Sequence, residues 1–216
     1  MVELEIRLDL KWRTAFHTTG NRRKWGADKA LVRRYDGAYV LPATSLKGAL
    51  RDQAERLLRS HVPVCAAPDP GQMCPDSKTL CLVCRVFGNP RRPSPLRFTD
   101  VVLPQDPETT QIRAGVAISR RRRAAVPQRL YFVETTAAAP MKAHAVIQGR
   151  FPSRKEAEEA AALVVLAARM LTALGAGRTR GLGWLENIEA QCTIDDQSIA
   201  EATLQGYWTK WLGGGQ

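Results

Sequence analysis

The alternation of apolar and charged side chains at the start of the chain is the feature that most restricts its fold. The apolar positions are Val2, Leu4, Ile6, Leu8, Leu10 and Trp12, and each residue between them is charged. Side chains two residues apart lie on the same face of a β-strand. The pattern therefore predicts a strand with one buried face and one face in solvent.

Two amphipathic helices are predicted further along the chain. The apolar face of the first consists of Leu46, Leu50, Ala54, Leu57 and Leu58. Thr44 or Ser45 can cap its start by accepting a hydrogen bond from a free N–H group. Ser153 and Glu156 match a capping box that opens the second helix, and Gly175 is expected to end that helix as a left-handed cap.

The order of strands and helices predicts the fold class. Between the two helices, strands are expected at residues 96–103, 130–135 and 142–149, and a further strand at 182–192. A strand, a helix, more strands, a helix and a last strand are typical of an α+β, ferredoxin-like (RRM-like) sandwich.

Two segments are predicted to be insertions in a single domain that extends over residues 1–204. The first, at about 62–96, is rich in Pro, Cys and Gly. The second, at about 104–128, is poor in core residues and is predicted to be an extended arm. It carries the run Arg120, Arg121, Arg122 and Arg123. Residues 205–216 are predicted to be an aromatic segment, which packs on the domain's own core, and a tail.

The strong positive charge restricts the partners of this protein. With 32 Lys and Arg against 21 Asp and Glu, the 216 residues have a formal net charge of +11. Such a charge indicates a polyanionic partner, with nucleic acid ahead of an anionic membrane. The best candidate for a membrane span, 160–174, is short and contains Arg169. We therefore expect no membrane segment and, without a signal-peptide pattern, a cytoplasmic location.

Four cysteines close together in the sequence predict a metal site. Cys65, Cys74, Cys81 and Cys84 have the spacing C-x8-C-x6-C-x2-C, and the last pair has the spacing of a metal-binding knuckle. Four unrelated thiols in a mobile loop are the alternative. We favour structural Zn²⁺, because this segment has few apolar residues and such sites contribute on the order of 10 kcal/mol in small zinc modules.

A glycine-rich loop follows the second predicted helix. Four glycines within 175–183, Gly177 among them, allow sharp turns and let a ligand approach the backbone closely. Arg178 and Arg180 lie in the same loop, so N–H and guanidinium groups are predicted to contact one phosphate chain together. A helix cap followed by a tight turn is the alternative interpretation.

Three motifs in this order resemble those of the RAMP superfamily of CRISPR–Cas proteins. Leu41–Arg51 is similar to the superfamily's P-x-[ST]-S-L-K-G-x-x-R segment, although Ala43-Thr44 stands where members often have Gly-Ser. Cys84–Gly88 resembles its C-x-x-F-G turn, and Leu174–Gly183 resembles its glycine-rich loop. The greatest similarity is to the backbone subunit of type III effector complexes, which polymerises along CRISPR RNA.

The resemblance implies RNA chemistry for several residues. In the family, an aspartate in the loop before the P-x-x-S-L-K-G helix cuts target RNA, and Asp28 occupies the matching loop here, with Mg²⁺ or Mn²⁺ as the implied cofactor. Ser45 and Lys47 at the helix start, and Arg51 on the same face, are implied to hold a phosphate of the guide RNA. The arginine run Arg120–Arg123 corresponds to the family's thumb hairpin and is expected to contact phosphates.

The implied partners are CRISPR RNA, complementary target RNA and other effector subunits, including copies of this chain. Three alternatives to a guided nuclease remain open. The protein is a structural RNA-binding protomer with an inert aspartate, or it is a CRISPR RNA-processing endoribonuclease that relies on His17. A generic RRM-type protein is the least favoured, because the aromatic-rich sheet motif of RRMs is lacking.

Overall fold

A five-stranded antiparallel sheet, with helices packed against one face, forms the centre of the chain in a computed structural model. The structure describes residues 1–20, 22, 24–76, 79–138 and 140–213. The α+β class expected from the sequence is confirmed.

The strands and helices follow one another along the chain without internal repetition. They are β1 (Val2–Trp12), β2 (Val40–Leu41), α1 (Ala43–Leu58), α2 (Leu82–Phe87), β3 (Leu96–Phe98), β4 (Val101–Val102), β5 (Gln111–Ser119), β6 (Ala124–Thr135), β7 (Met141–Phe151), α3 (Arg154–Arg169), β8 (Leu185–Ile194), β9 (Gln197–Ser198) and α4 (Glu201–Leu212). The order of strands in the central sheet is β3-β7-β1-β8-β9. β1 therefore lies between β7 and β8 and is antiparallel to both.

The half-buried strand predicted at the start of the chain is confirmed. The side chains of Leu4, Ile6, Leu8, Leu10 and Trp12 are buried. The opposite face carries the charged side chains, which pair with neighbouring strands, as in the 2.6 Å ion pairs Glu3–Arg150 and Lys11–Glu186. This face has its opposite charges paired with one another, and the apolar face alone supplies the core.

Helix α3 is the main contact of the sheet with the helical layer. It packs on β1, β7 and β8, and α1 and α4 pack against it in turn. Much of its buried surface is alanine, which allows close approach of the neighbouring backbone. Its start follows the predicted capping box, because the Ser153 side chain accepts a hydrogen bond from the Glu156 N–H group.

Both predicted helices differ from expectation at one end. Helix α3 ends at Arg169, before Gly175, and the Leu174 N–H group beyond it donates to the Gly183 carbonyl (2.9 Å). Helix α1 starts after Pro42, and neither Thr44 nor Ser45 caps it. The Asp100 carboxylate, remote in sequence, accepts the hydrogen bond from the Ala43 N–H group at 2.7 Å.

The second predicted insertion is a two-stranded hairpin formed by β5 and β6. The strand predicted at 130–135 belongs to it, as the base of its second arm, and the hairpin thus extends to Thr135, beyond the expected limit near residue 128. Most of its side chains are exposed except at the base. The hairpin is therefore an arm that stands away from the core.

The C-terminal aromatic residues pack on the core of the domain, as predicted. Trp211 is buried, and the indole N–H of Trp208 donates to the Ala162 carbonyl of α3 at 2.8 Å. Both belong to α4, which starts at Glu201, and the tail after residue 213 lies outside the described residues. In the described part of the chain, every helix is too short or too polar to cross a bilayer.

Candidate functional site

A cavity of about 220 Å³ opens where three segments remote in sequence meet: the loop that follows β1, the base of the hairpin and the glycine-rich loop. Its lining residues are His17, Thr19, Lys29, Arg113, Ala114, Gly115, Tyr131, Val133, Ala176, Gly177, Arg180 and Leu182. We call this cavity the basic pocket. It contains two of the predicted site residues, Gly177 and Arg180.

The charge of the basic pocket favours an anion. Lys29, Arg113 and Arg180 contribute cationic side chains, and none of its described lining residues is Asp or Glu. Arg180 donates a 2.9 Å hydrogen bond to the Tyr131 hydroxyl, which links the glycine-rich loop to β6. Three cations that converge from separate segments repel one another, so a bound polyanion would stabilise the arrangement.

Gly115 determines the shape of the pocket wall. It lies directly opposite Tyr131 in the hairpin register. A Cβ atom at this position would lie 2.3 Å from the Tyr131 ring, so the ring occupies the space that a larger residue would need. The aromatic wall of the pocket therefore depends on a glycine in the facing strand.

The glycine-rich loop is tied to the segment that follows β1. Gly183 donates to the Ala15 carbonyl at 2.7 Å, and Ala176 donates to the His17 carbonyl at 2.8 Å. At Gly183, where φ is +69°, an added Cβ would lie 1.9 Å from the Leu174 carbonyl oxygen. The loop thus requires glycine for a close backbone crossing.

Arg178 and Arg180 begin and end a short 3-10 turn within this loop. Only the Arg180 side chain is among the described residues that line the basic pocket. Arg178 is exposed, and its carbonyl accepts a 2.9 Å hydrogen bond from the indole of Trp184. The two arginines that the sequence placed together therefore have different surroundings.

His17 lines the basic pocket but has both ring nitrogens occupied. Nδ1 lies 2.6 Å from the Glu134 carbonyl, which can only accept, so this nitrogen carries the proton. Nε2 is then free to accept from the Thr19 hydroxyl at 3.0 Å. Burial lowers the pKa of His17 and keeps the ring neutral. This arrangement is that of a structural histidine.

Asp28 lies at the free edge of β6. Its N–H group donates to the Phe132 carbonyl (2.9 Å), and its Oδ2 accepts from the Phe132 N–H group (2.7 Å). The next residue, Lys29, forms a parallel bridge with Val133 and reaches the basic pocket. Asp28 is exposed, and its second carboxylate oxygen has no hydrogen-bond partner among the described residues. The candidate catalytic residue is thus fixed beside the pocket.

A buried carboxylate, Glu134, holds the loop that carries Asp28. Its side chain is wholly buried and accepts hydrogen bonds from Lys24 (2.6 Å), the Tyr39 hydroxyl (3.0 Å) and the Leu31 N–H group (3.0 Å). Arg33 lies 3.7 Å away. Burial by itself raises the pKa of this carboxyl, but the hydrogen bonds outweigh it, and the net effect is a lowered pKa. We call these side chains the Glu134 cluster.

Sequence reasoning did not identify Glu134 or its partners. A signal was present, since Glu134 is an acid that directly follows the apolar and aromatic run Leu130–Val133 in the same predicted strand. An acid inside a predicted strand needs a buried partner if that face is covered. Its partners come from residues 24–39, and their pairing is visible only in the folded chain.

The predicted phosphate-binding residues of α1 lie elsewhere. Lys47 and Arg51 line a groove between α1 and the cysteine-rich insertion, and Ser45 is exposed in the first turn. Arg51 donates to Glu55 (2.7 Å) and to the Gly88 carbonyl (2.9 Å). Its guanidinium is therefore engaged in holding α1 to the insertion.

Two further contacts affect the start of α1. The Asp100 carboxylate at its first N–H group competes with a phosphate for that position. The Lys47 amine lies 5.7 Å from the centre of the Phe98 ring, and burial together with the Arg51 charge lowers the pKa of Lys47. The structure therefore separates this predicted site from the basic pocket.

The run Arg120–Arg123 forms the turn of the hairpin and is exposed. The turn is closed by the Arg123 N–H group, which donates to the Ser119 carbonyl at 2.8 Å. It lies at the opposite end of the hairpin from Arg113 and Tyr131 at the pocket. The two groups of cations can thus contact separate parts of a long polyanion.

The four predicted metal ligands meet in space. The sulfur atoms of Cys65, Cys74, Cys81 and Cys84 all lie within 4.8 Å of one another. The Cys65–Cys84 and Cys65–Cys81 sulfur distances are 3.3 and 3.7 Å. A tetrahedral site with Zn–S bonds of about 2.3 Å has sulfur atoms about 3.8 Å apart, so the cluster could hold a metal ion such as zinc.

The surroundings of the cysteines also suit thiolate ligands. The N–H group of Cys81 donates to the Cys74 sulfur at 3.3 Å, and Arg51 lies 3.9 Å from the Cys84 sulfur. Burial raises the pKa of the Cys65 and Cys84 thiols; it acts the same way on Cys81, where hydrogen bonds outweigh it and lower the pKa. Metal binding would remove the protons that burial otherwise retains.

The chain also matches a known protein family. The sequence model of the RAMP superfamily matches residues 9–186, which include the basic pocket, the hairpin and the four cysteines. No curated protein matches the chain.

We expect Glu134→Ala to lower the free energy of unfolding by about 3 kcal/mol at pH 7, because it leaves Lys24 without its buried partner. Glu134→Gln, which can still accept hydrogen bonds from Tyr39 and Leu31, should lower the free energy of unfolding less. The carboxyl pKa is lowered in the folded state, so its contribution is present above the ordinary carboxyl pKa and lost as pH falls through the folded value. Urea unfolding at pH 7 and at pH 3 measures both effects. Equal stability of the Ala variant and wild type at pH 7 would contradict the role of the cluster.

Proposed function

The chain belongs to the RAMP superfamily, and from this premise we propose that it is a CRISPR-associated RNA-binding subunit that holds guide RNA at the basic pocket. The observation that carries the proposal is the convergence of Lys29, Arg113 and Arg180 around one cavity beside a glycine-rich loop. The strand order β3-β7-β1-β8 supports a ferredoxin-like unit with the hairpin as its thumb. The motifs of the sequence favour the repeating backbone subunit of a type III effector complex.

The proposed RNA contact is to the sugar–phosphate backbone. The pocket offers positive charge from three side chains, those of Lys29, Arg113 and Arg180, to the phosphates of a nucleic acid. Such contacts fix register without reading bases. A protein that carries a guide RNA needs contacts that do not depend on base sequence, since base pairing with the guide selects the target. The arginine run at the hairpin turn would then contact phosphates further along the same RNA.

We expect Arg113→Gln and Arg180→Gln each to weaken single-stranded RNA binding about fivefold or more, because each removes a proposed phosphate contact. The salt dependence of binding should become shallower by about 0.7 in the logarithmic slope for each lost contact. Arg154→Gln is the matched control, since that arginine lies on α3 and pairs with Glu158 at 3.1 Å. Fluorescence anisotropy over a range of salt concentrations measures both effects. Equal losses in all three variants would exclude the pocket as a specific contact.

We also propose that Asp28 cuts target RNA paired with the guide. Its carboxylate accepts from the Phe132 N–H group through one oxygen, and the other oxygen has no hydrogen-bond partner among the described residues. That oxygen would accept the proton from a ribose 2′-hydroxyl or hold Mg²⁺ or Mn²⁺. Attack of the 2′-oxygen on the adjacent phosphorus would form a 2′,3′-cyclic phosphate and break the bond to the 5′-oxygen, which would take a proton from water as it leaves. The divalent ion would supply charge for the phosphate oxygens.

Asp28→Asn should reduce target cleavage about 100-fold or more without weakening RNA binding, because the amide oxygen can still accept from the Phe132 N–H group. Asp36→Asn is the control, as that carboxylate lies in the same loop and pairs with Arg34. The measurement uses the assembled complex, labelled complementary RNA and Mg²⁺. Regular products at the wild-type rate in the Asp28→Asn complex would contradict a catalytic role.

A non-catalytic scaffold is the second candidate function, and one observation favours it. The Asp28 carboxylate already has a structural task, because it completes the pairing of its own loop with β6. In a scaffold, Asp28→Ala would lower stability while RNA remained intact in every variant. Processing of CRISPR RNA by His17 is less favoured, because both nitrogens of that ring are hydrogen-bonded.

We propose structural Zn²⁺ at the four cysteines. Among the described residues, the insertion has one small buried cluster that is separate from the main core. It consists of Met73, Cys74 and Cys84. A metal would supply the cohesion that this group lacks.

Cys81→Ser should reduce the zinc content from about one ion per chain to well below one and destabilise the insertion. Cys192→Ser is the control, because Cys192 is buried in the main core, away from the cluster. Elemental analysis of purified protein measures zinc, and limited proteolysis measures the order of the insertion. Zinc well below one per chain in the wild-type protein would contradict the site.

A further inference from the structure

Trp25 is an aromatic side chain held almost entirely in solvent. Its exposed fraction is 98%. Tryptophan is the side chain with the largest apolar surface, and leaving it in water forgoes the free energy that burial would provide. No packing within the described part of the chain accounts for its position. The side chain is thus available to a partner.

The turn that carries Trp25 is fixed at both ends. On one side, Lys24 donates to the buried Glu134 carboxylate at 2.6 Å. On the other, Asp28 exchanges hydrogen bonds with the backbone of Phe132 at 2.9 and 2.7 Å. The indole is therefore exposed on a positioned turn. Binding of a partner to the indole therefore costs little backbone conformational entropy.

The charges around Trp25 favour nucleic acid over protein. Arg22 and Lys29, on either side of the turn, are both exposed. The cores of protein–protein interfaces are depleted in charged residues, whereas surfaces that bind single-stranded nucleic acid combine cations with aromatic rings. The net charge of +11 has the same sign as these neighbours.

We propose that Trp25 is a stacking platform for an unpaired RNA base, three residues before the proposed cutting residue Asp28. This inference rests on the RNA-binding function proposed above and adds a contact to bases. Stacking on an indole tolerates any base, because every base has a π-face. It is therefore compatible with recognition by guide pairing. An unpaired nucleotide held here would be placed next to the phosphate that Asp28 acts on.

The test compares Trp25→Ala and Trp25→Phe in the full chain with two RNA probes. One probe is a labelled single-stranded oligoadenylate, and the other is an oligomer of the same length with abasic riboses. We expect Trp25→Ala to bind oligoadenylate about 5- to 100-fold more weakly than the wild type, and Trp25→Phe to stay within about threefold. Binding to the abasic oligomer should be equal in all three proteins.

Tyr35→Ala is the matched control. Tyr35 lies in the same loop and is 89% exposed, but it is ten residues from Trp25 along the chain, and the Arg34 guanidinium lies 5.9 Å from the centre of its ring. We expect this variant to bind oligoadenylate like the wild type. Because Trp25 is exposed, none of these substitutions removes core packing, and circular dichroism should show unchanged folds.

The outcomes separate the inference from the function on which it rests. If the wild type binds oligoadenylate and Trp25→Ala binds it with the same affinity, the stacking role alone is overturned. An equal loss on the abasic oligomer overturns it too, since the contact would not be to a base. The same holds if Trp25→Ala abolishes self-association in sedimentation velocity without changing RNA affinity, because Trp25 then contacts a second copy. A wild-type protein that binds neither probe contradicts the proposed function itself.

Discussion

The carboxylate of Glu134 lies beneath the base of the hairpin, where Lys24, Tyr39 and the Leu31 N–H group all donate to it. A carboxylate is costly to bury unless its oxygens are paired, and these donors come from one loop. The loop therefore adopts the path that satisfies the carboxylate. Asp28, Lys29 and Trp25 lie on that path, so the proposed cutting residue, one wall of the basic pocket and the exposed indole are positioned by the same interaction.

A second connection links the helix α1 to the cysteine-rich insertion. Arg51 contacts Glu55 on its own helix, the Gly88 carbonyl and the Cys84 sulfur, at 2.7, 2.9 and 3.9 Å. Two of the sequence motifs that identify the family thus meet at one guanidinium. A metal held by four thiolates would carry net negative charge, which Arg51 would partly neutralise. The motif arginine thus holds α1 to the insertion.

The two regions have different chemistry and are far apart along the chain. The cysteine cluster is a local structure within residues 65–84. The basic pocket draws on His17, Arg113 and Arg180, and exists only because the hairpin base meets the glycine-rich loop and the segment that follows β1. A change that loosens the insertion would act on stability first, whereas a change at the pocket would act on ligand binding.

The sequence by itself determined the features that depend on near neighbours. Alternation over Val2–Trp12 specified the half-buried strand, Ser153 and Glu156 specified the start of α3, and the cysteine spacing specified the cluster, because each pattern acts over a few residues. Only the tertiary structure decided that Glu134 pairs with Lys24, 110 positions away, that Asp100 caps α1, and that Arg51 turns toward the insertion. A buried polar group forms its hydrogen bond with the partner that folding brings within reach, and that partner cannot be identified from the local sequence.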